Sequence, residues 1–194
     1  MSRSSSAFST REIAFIALFV ALITVCAWIS IPFAVPFTLQ TFAIFAALGL
    51  LGGKRATIAV AVYLLLGAIG LPVFAGFTGG IGRLAGATGG YLVGFLLSAI
   101  IGGWILHRFG RSTPVLILAM IAGLAVCYVF GTAWFMILYA RTTGPVGLTT
   151  VLGWCVIPFL LPDAAKIALA VLLTRRLEKY TFFAKTPKQE STAA

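Results

Sequence analysis

Asp163 and Lys166 are a carboxylate and an ammonium three residues apart, in a part of the chain that is otherwise apolar. In a helix this spacing puts both side chains on one face. Such a pair can hold a polar solute, because the carboxylate accepts hydrogen bonds and the ammonium donates them. A simpler interpretation is also open: Pro162 and Asp163 begin a helix, Asp163 caps it, and Lys166 pairs with Asp163. The two interpretations are compatible.

A glycine-rich linker, residues 72–90, is the second candidate part of a site. Glycine permits backbone conformations and close approaches that other residues do not. We interpret the linker as a lid that brings Thr78, Arg83 and the following Tyr91 towards a ligand. A plain flexible loop is the alternative.

Gln40 and two alanines of the first apolar segment complete the candidates. Gln40 is an amide within an apolar run, and it either contacts the same ligand or makes a hydrogen bond between helices. Ala17 and Ala21 form a small-xxx-small stripe, which lets another helix approach closely, either inside the bundle or from a partner subunit.

Long stretches without charge predict the elements that position these residues. The first such stretch runs from residue 13 to residue 53, and others cover 56–82, 84–106, 112–140 and 142–162. A bilayer core of about 30 Å needs roughly 20 apolar helical residues to cross it. The sequence therefore predicts an all-α polytopic membrane protein with six transmembrane helices in one compact bundle. The expected spans are 12–30, 38–51, 55–71, 91–106, 114–139 and 159–177, and 145–155 is expected to be a short re-entrant or surface helix.

The basic residues predict the orientation of the bundle, since loops on the cytoplasmic side carry an excess of Lys and Arg. The inside set is Arg3, Arg11, Lys54, Arg55, Arg108, Arg111, Arg175, Arg176, Lys179, Lys185 and Lys188, and the outside set is Arg83 and Arg141. Both termini are therefore expected in the cytoplasm. The expected organisation is a cytoplasmic segment 1–11, a membrane domain 12–178 with the linker 72–90 outside, and a polar, disordered tail 179–194.

The same orientation places Asp163 in the outer half of the membrane. Arg175 marks the inner surface, and Asp163 lies twelve residues earlier, which is about 18 Å along a helix. An ion at that depth costs several kcal/mol unless it has a partner.

Several classes of function are disfavoured. The net charge of +10 lies in short clusters between apolar runs and not on one soluble face, so nucleic-acid binding is not expected. The chain has no phosphate-binding GxxxxGK[ST] motif, and energy for uphill transport would come from a partner or an ion gradient. Its three cysteines have no metal-site spacing, and neither a metal nor a cofactor is expected.

The segments Thr38-Leu39-Gln40, Gly-Leu-Pro-Val-Phe at 70–74, Thr-Gly-Gly-Tyr at 88–91 and Asp163-Ala-Ala-Lys166 resemble those of the BioY family over about residues 11–178. These proteins are biotin-binding substrate (S) components of energy-coupling factor (ECF) transporters in prokaryotic plasma membranes. The resemblance implies that Asp163 and Lys166 lie at the biotin site and that Gln40, Tyr91 and the linker match motif positions. Where some members use Asn as a ligand contact, this chain has Thr78 or Gly79.

The resemblance also implies partners. A transmembrane coupling protein and two ATPase subunits would energise transport, Ala17 and Ala21 would dock on the coupling protein, and a homo-oligomer is possible. In the site, Asp163 suits a ureido N–H, Lys166 the ureido oxygen, and Arg83 or Arg141 the carboxylate. The alternatives are an S component for another vitamin and an intramembrane enzyme or channel. Enzyme chemistry is disfavoured, because the single His107 is expected near the inner surface, far from Asp163.

Overall fold

The computed structural model describes residues 8–32 and 34–178, which form a mainly helical bundle. The expected tail 179–194 and most of the segment 1–11 lie outside these residues. The helices are α1 (Thr10–Trp28), α2 (Gln40–Leu51), α3 (Gly53–Ala68), α4 (Ile81–Ala85), α5 (Gly89–Phe109), α6 (Thr113–Thr142), α7 (Leu148–Cys155) and α8 (Ile157–Leu177). Two short strands, β1 (Ser30–Ile31) and β2 (Phe37–Thr38), pair antiparallel between α1 and α2.

Local sequence signals set several helix ends. Ser9 and Glu12 form a capping box at the start of α1, and each side chain binds the other residue's backbone N–H. Pro114 lies in the first turn of α6, where its missing N–H leaves no helical bond unmade. Gly52 ends α2 with a φ of +81°, a conformation that glycine adopts without strain, and α3 begins at the next residue. The turn at Gly52 explains why α2 leads directly into α3.

Small residues allow the helices to approach closely. A Cβ atom added to Gly53 of α3 would lie 2.3 Å from the Cα of Gly103 of α5, so the two backbones are almost in contact there. A Cβ on Gly123 of α6 would lie 2.5 Å from the Oγ of Ser98 of α5. Such contacts are typical of helix packing in membranes, where dispersion rather than the hydrophobic effect holds helices together.

Four helical segments are long and apolar enough to cross a membrane by length and composition: Thr10–Trp28, Gly89–Phe109, Thr113–Thr142 and Leu148–Leu177. The predicted second and third spans correspond to α2 and α3, which have 12 and 16 residues. Almost every residue of α2 is buried in the bundle, so its surroundings are protein. The six-span count therefore remains a prediction.

The structure modifies the expected last span. α7 contains most of the short helix expected at 145–155 and leads through Val156 directly into α8. Pro162 lies inside α8, which begins at Ile157. The interpretation of Pro162 and Asp163 as a helix start is therefore wrong: the helix begins earlier because Pro158, in the first turn, already suits that position.

Arginines cap the end of α2 that faces α3. The Arg55 guanidinium donates to the Leu51 carbonyl over 3.3 Å, and that of Arg111 donates to the Gly49 carbonyl. The last carbonyls of a helix have no intrahelical partner, and these side chains satisfy two of them. The end of α2 can therefore lie in the protein core, because these two carbonyl groups have hydrogen-bond partners there.

Candidate functional site

Asp163 and Lys166 form a buried ion pair on α8. The Lys166 Nζ donates to the Asp163 Oδ1 over 2.7 Å, and the two residues are 5% and 2% exposed, respectively. The expectation that Lys166 pairs with Asp163 is confirmed. Removing two charges from water is costly unless further hydrogen bonds satisfy the remaining groups, so their other partners matter.

Two hydroxyl groups complete the surroundings of Asp163. Thr41 of α2 donates to Oδ1 over 3.0 Å, and Tyr128 of α6 donates to Oδ2 over 2.5 Å. The carboxylate therefore receives hydrogen bonds from three different helices. It holds α2, α6 and α8 together at one point, and it is satisfied as an ion even without a ligand.

Lys166 is held by backbone and aromatic groups as well. Its Nζ donates to the Thr38 carbonyl over 2.7 Å and lies 4.3 Å from the centroid of the Phe37 ring. A cation at the face of an aromatic ring is attracted by its quadrupole. Both residues belong to β2. Its pairing with β1, and the hydrogen bond that the N–H of the next residue, Leu39, donates to the Cys26 carbonyl, fix β2 against the end of α1.

The ion pair faces a cavity that has two adjoining parts. The space between the walls is about 390 Å³ in the first part and about 370 Å³ in the second, and both volumes include space that is open to solvent. Asp163, Lys166, Thr41 and Tyr128 line the first part, together with apolar side chains and Cys127 and Cys155. Both parts are lined by Val35, Pro36, Thr38, Tyr91 and Phe95. A small, largely apolar space with a few converging polar groups is typical of a small-molecule site.

The second part of the cavity contains a cation and an amide. Gln40, Arg83 and Thr88 line it, and Phe74 and Ala75 add linker residues to its wall. Arg83 is half-buried, and within residues 8–32 and 34–178 its guanidinium makes neither a hydrogen bond nor an ion pair. The second expected cation, Arg141, is exposed at the end of α6 and lines neither part.

Gln40 links the cavity to the linker through a buried chain of hydrogen bonds. Its Oε1 accepts from the Thr38 hydroxyl over 3.0 Å, and its Nε2 donates to the Tyr63 hydroxyl over 2.7 Å. Tyr63 of α3 in turn donates to the Val73 carbonyl over 3.1 Å. The alternative for Gln40, a hydrogen bond between helices, is thus present, and it coexists with a place on the cavity wall.

The linker is fastened at both ends by indole groups. Trp28 of α1 donates its Nε1–H to the Pro72 carbonyl over 2.9 Å, and Trp134 of α6 donates to the Gly86 carbonyl over 3.0 Å. Residues 72–90 are therefore a structured wall of the cavity, and they contain the short helix α4. A plain flexible loop does not describe this segment, and its action as a lid stays a prediction.

Tyr91 and Thr78 differ in their relation to the cavity. The Tyr91 hydroxyl lies 3.0 Å from the Thr132 Oγ1, and Tyr91 lines both parts of the cavity. Thr78 lines neither part; its hydroxyl donates to the Ala75 carbonyl over 2.9 Å, and its own carbonyl accepts from the Phe74 N–H. Of the six predicted binding residues, five border one cavity, and Thr78 instead stabilises the turn beside it.

Ala17 and Ala21 lie elsewhere, on the outer face of α1. Both are exposed, and they line a shallow apolar groove that continues to Trp28 and to Val62 and Leu66 of α3. The stripe does not pack inside the bundle within the described residues. Of the two expectations for it, the outward one agrees with this position.

Sequence reasoning missed Thr41, Tyr63 and Tyr128. A threonine or tyrosine in an apolar helix is common and carries no charge, so its type alone gave no signal. Thr41 follows Gln40 directly, and Tyr128 requires the packing of α6 on α8 before its hydroxyl reaches Asp163. Only the three-dimensional arrangement identifies these residues.

Comparison with known proteins agrees with the arrangement. The family model described as "BioY family" matches residues 1–182. A biotin transporter BioY of Thermotoga maritima is 42% identical over 172 residues, covering 87% of this chain and 96% of that protein. A probable biotin transporter BioY of Pyrococcus horikoshii is 41% identical over 172 residues, covering 88% and 98%.

A solved structure extends the similarity to three dimensions. The crystal structure of the S-component for biotin from an ECF-type ABC transporter superposes with a TM-score of 0.79 at 28% identity, covering 89% of this chain and 95% of that chain. Sequence, fold and the buried acid–base pair lead to one conclusion. The chain belongs to the BioY family.

Proposed function

We propose that this chain is the biotin-binding S component of an ECF transporter and serves biotin uptake. The observation that carries the proposal is the Asp163–Lys166 pair, 2.7 Å apart and facing a small cavity in a chain of this family. The relatives named as biotin transporters and the solved S-component for biotin support it. The family is one of transporter components and not of enzymes.

The polar groups of the first part of the cavity are complementary to the ureido ring of biotin. It has two N–H donors and one carbonyl acceptor. Asp163 would accept from a ureido N–H, and Lys166, which has three donors and here uses two, would donate to the ureido oxygen. Tyr128 would remain on the carboxylate, and the apolar walls would contact the thiophane ring.

The second part of the cavity suits the valerate carboxylate. Arg83 lines it, carries a positive charge and has no protein partner among the described residues. An arginine binds a carboxylate through charge-assisted, often bidentate hydrogen bonds. Gln40 and Tyr91 would shape the space between the two ends of the ligand, and Thr78 would act through the linker turn.

The groove on α1 suits the coupling protein. Ala17 and Ala21 leave room for a second helix to approach the backbone, as small residues do in membranes. The transmembrane coupling protein would dock there, and two ATPase subunits would supply the energy that this chain has no motif to provide. A homo-oligomer is compatible with the exposed apolar surface but has no specific contact in its favour.

We further propose the topology predicted from the charges. The membrane domain 12–178 would cross the plasma membrane of a prokaryote six times, with α2 and α3 as the second and third spans. The segment 1–11 and the tail 179–194 would lie in the cytoplasm, and the linker 72–90 would face outward. Biotin would enter from outside, under the linker, and leave inward.

Biotin binding by the purified chain tests the proposal. Equilibrium dialysis with radiolabelled biotin should show retention by the wild-type protein and none by Asp163→Asn or Lys166→Ala. Removing one partner of a buried ion pair destabilises a protein by roughly 3–5 kcal/mol, so loss of binding through unfolding must be separated. The double variant Asp163→Asn/Lys166→Met removes both charges, should melt cooperatively, and should still retain no biotin.

Two further measurements distinguish biotin binding at this site from the alternatives. A panel of vitamins in a thermal-shift assay should raise the melting temperature with biotin only, because a ligand stabilises the state that binds it. Stabilisation by a different vitamin and none by biotin would contradict the proposal and favour an S component of other specificity. Retention of biotin by the folded double variant would show that the ion pair is not the site.

A further inference from the structure

A continuous network of buried hydrogen bonds runs from the ion pair to the linker. Lys166 donates to the Thr38 carbonyl over 2.7 Å, and the Thr38 hydroxyl donates to the Gln40 Oε1 over 3.0 Å. The Gln40 Nε2 donates to the Tyr63 hydroxyl over 2.7 Å, and that hydroxyl donates to the Val73 carbonyl over 3.1 Å. All five residues are buried. A buried polar network whose members all have partners makes its surroundings rigid.

Tyr63 is the member of this network that joins two separate elements. It lies on α3, is fully buried and lines neither part of the cavity. Its hydroxyl accepts a bond from α2 and donates one to the linker, which a phenol can do at the same time. Its ring also makes an edge contact with Phe74, with centroids 5.5 Å apart. A phenylalanine here would keep the ring contact and lose both hydrogen bonds.

The stretch of linker that Tyr63 holds leads to Arg83. A second bond to α3 lies one helical turn beyond Tyr63, where the Gly80 N–H donates to the Gly67 carbonyl over 2.7 Å. Arg83 follows three residues later, in α4, and lines the second part of the cavity. One turn of α3 is therefore the base on which this stretch of the linker is fixed, and it determines where Arg83 lies.

The network thus connects the two ends of the cavity. The Asp163–Lys166 pair lines the first part, and Arg83 lines the second. In the proposed function the pair binds the ureido ring and Arg83 binds the carboxylate. A ligand that must reach both ends gains most when its length matches a separation that is already fixed, because a rigid site does not adjust to a shorter or longer ligand.

We propose that Tyr63 is a positioning residue that fixes the separation between the Asp163–Lys166 pair and Arg83, and that this separation makes the site selective for the length of the ligand's carboxylate chain. The inference rests on the proposed function, since it assigns the specificity of the same site. Tyr63 acts through Thr38 and Gln40 on one side and through the linker backbone on the other.

Tyr63→Phe tests the inference on the full chain in lipid nanodiscs. Isothermal titration compares biotin with two homologues whose carboxylate chain is one methylene shorter or longer. The wild type should bind biotin about tenfold more tightly than either homologue, the lower end of the discrimination that one methylene gives.

The substitution should weaken biotin binding about tenfold, because it leaves a buried amide N–H and a buried carbonyl without this partner and loosens the separation. The same loosening lets the site adjust to the homologues, so their binding should fall by about threefold at most. The measured preference for biotin should therefore decrease about threefold or more.

Two control variants separate positioning from stability. Tyr139→Phe makes the same chemical change on α6, where the side chain lines neither part of the cavity, and should leave all three affinities unchanged. Thr174→Val removes a buried hydroxyl that donates to the Ala170 carbonyl over 2.7 Å, eleven residues beyond Asp163 on α8. It should lower the melting temperature and preserve the preference for biotin.

A second variant breaks the network at its next bond. Thr38→Val removes the hydroxyl that donates to Gln40 and keeps the carbonyl that binds Lys166. It should also reduce the preference for biotin over both homologues. If Tyr63→Phe does not melt cooperatively, Thr38→Val provides the decisive measurement.

The outcomes separate the two proposals. A folded variant that weakens all three ligands equally would show that the network only stabilises the fold. A wild type that binds all three ligands equally would show that the site does not select for length. Either result would overturn this inference and leave the proposed function in place. Absence of biotin binding by the wild-type chain would overturn both.

Discussion

At the scale of single residues, the cavity contains one charge pair that is satisfied and one cation that is not. Asp163 and Lys166 are held by protein groups from three helices and a strand, and each keeps room for one further hydrogen bond. Arg83, within the described residues, has no hydrogen-bond or ion-pair partner. A charge left without a partner beside a cavity is the group that a ligand of opposite charge would engage most strongly.

Arg83→Ala should therefore weaken biotin binding by roughly ten- to a hundredfold, the effect of losing a hydrogen bond to a charged group. The same substitution should hardly change the binding of biotin methyl ester, which has no carboxylate. Isothermal titration with both ligands measures the difference.

Arg141→Ala is the matched control, since Arg141 is exposed and lines neither part of the cavity. It should bind biotin as the wild type does. An equal loss of affinity for biotin and its methyl ester in Arg83→Ala would show that Arg83 does not bind the carboxylate.

The sequence identified charged residues well and neutral ones poorly. Asp163, Lys166 and Arg83 stand out because ions are rare in an apolar chain and need a reason. Tyr128 and Thr41 have no such signal, because a hydroxyl in a helix can satisfy itself on the backbone. The Thr78 hydroxyl bonds the Ala75 carbonyl, because a threonine side chain in a tight turn readily bonds the local backbone. Its role in ligand binding stays a prediction.

At the scale of elements, the contact between α3 and the linker shapes the second part of the cavity. A Cβ added to Gly67 would lie 1.9 Å from the Cζ of Phe74, so the ring packs directly on the helix backbone. The same ring makes an edge contact with Tyr63, 5.5 Å between centroids, and lines the cavity. The absence of a side chain at Gly67 thus sets the position of the cavity wall.

Gly67→Ala should lower both stability and biotin affinity, because the added methyl group displaces the Phe74 ring. Overpacking of this kind costs about 1–3 kcal/mol. Thermal unfolding with and without biotin measures both effects. Gly67→Ala combined with Phe74→Leu should recover part of the stability, since the smaller side chain makes room.

Gly153→Ala in α7 is the control, because no atom outside its own helix lies within 4 Å of the added Cβ. It should be neutral or slightly stabilising, as alanine favours helices. A Gly67→Ala protein that binds biotin with unchanged affinity would contradict the role of this contact.

The helices were predictable from the sequence within a few residues, because long uncharged stretches and Gly or Pro at their ends mark them. The last one was expected at 159–177 and runs from Ile157 to Leu177. The separate interpretation of Pro162 and Asp163 as a helix start is wrong, because α8 begins five residues before Pro162 and accommodates it in its interior. α4 was also missed, since five residues of a glycine-rich linker carry no periodicity.

At the scale of the whole molecule, the distribution of charge predicts the orientation in the membrane. The basic clusters at 54–55, 108–111 and 175–176 lie at helix ends, and Lys54 and Arg141 are exposed. The proposed topology places Lys54 on the cytoplasmic side and Arg141 on the outer side of the membrane. Neither contributes to the cavity, so both positions are suitable for labels.

Cysteine accessibility in intact cells tests the orientation. With a membrane-impermeant maleimide, Arg141→Cys should be labelled directly, and Lys54→Cys should be labelled only after permeabilisation. The unsubstituted chain should give little signal, since Cys26, Cys127 and Cys155 are 5%, 2% and 1% exposed. The opposite pattern would invert the topology and place the linker on the cytoplasmic side.

The burial of α2 has a consequence for biosynthesis. With 12 residues, α2 is too short to partition into lipid as an independent segment, so in the proposed topology we expect it to enter the bilayer together with α3. Its final neighbours include Asp163 and Thr174 of α8, and Asp163 follows its partner Thr41 by 122 residues. A nascent chain that stops before α8 lacks one wall of the pocket, so we expect ligand binding only after α8 has been made.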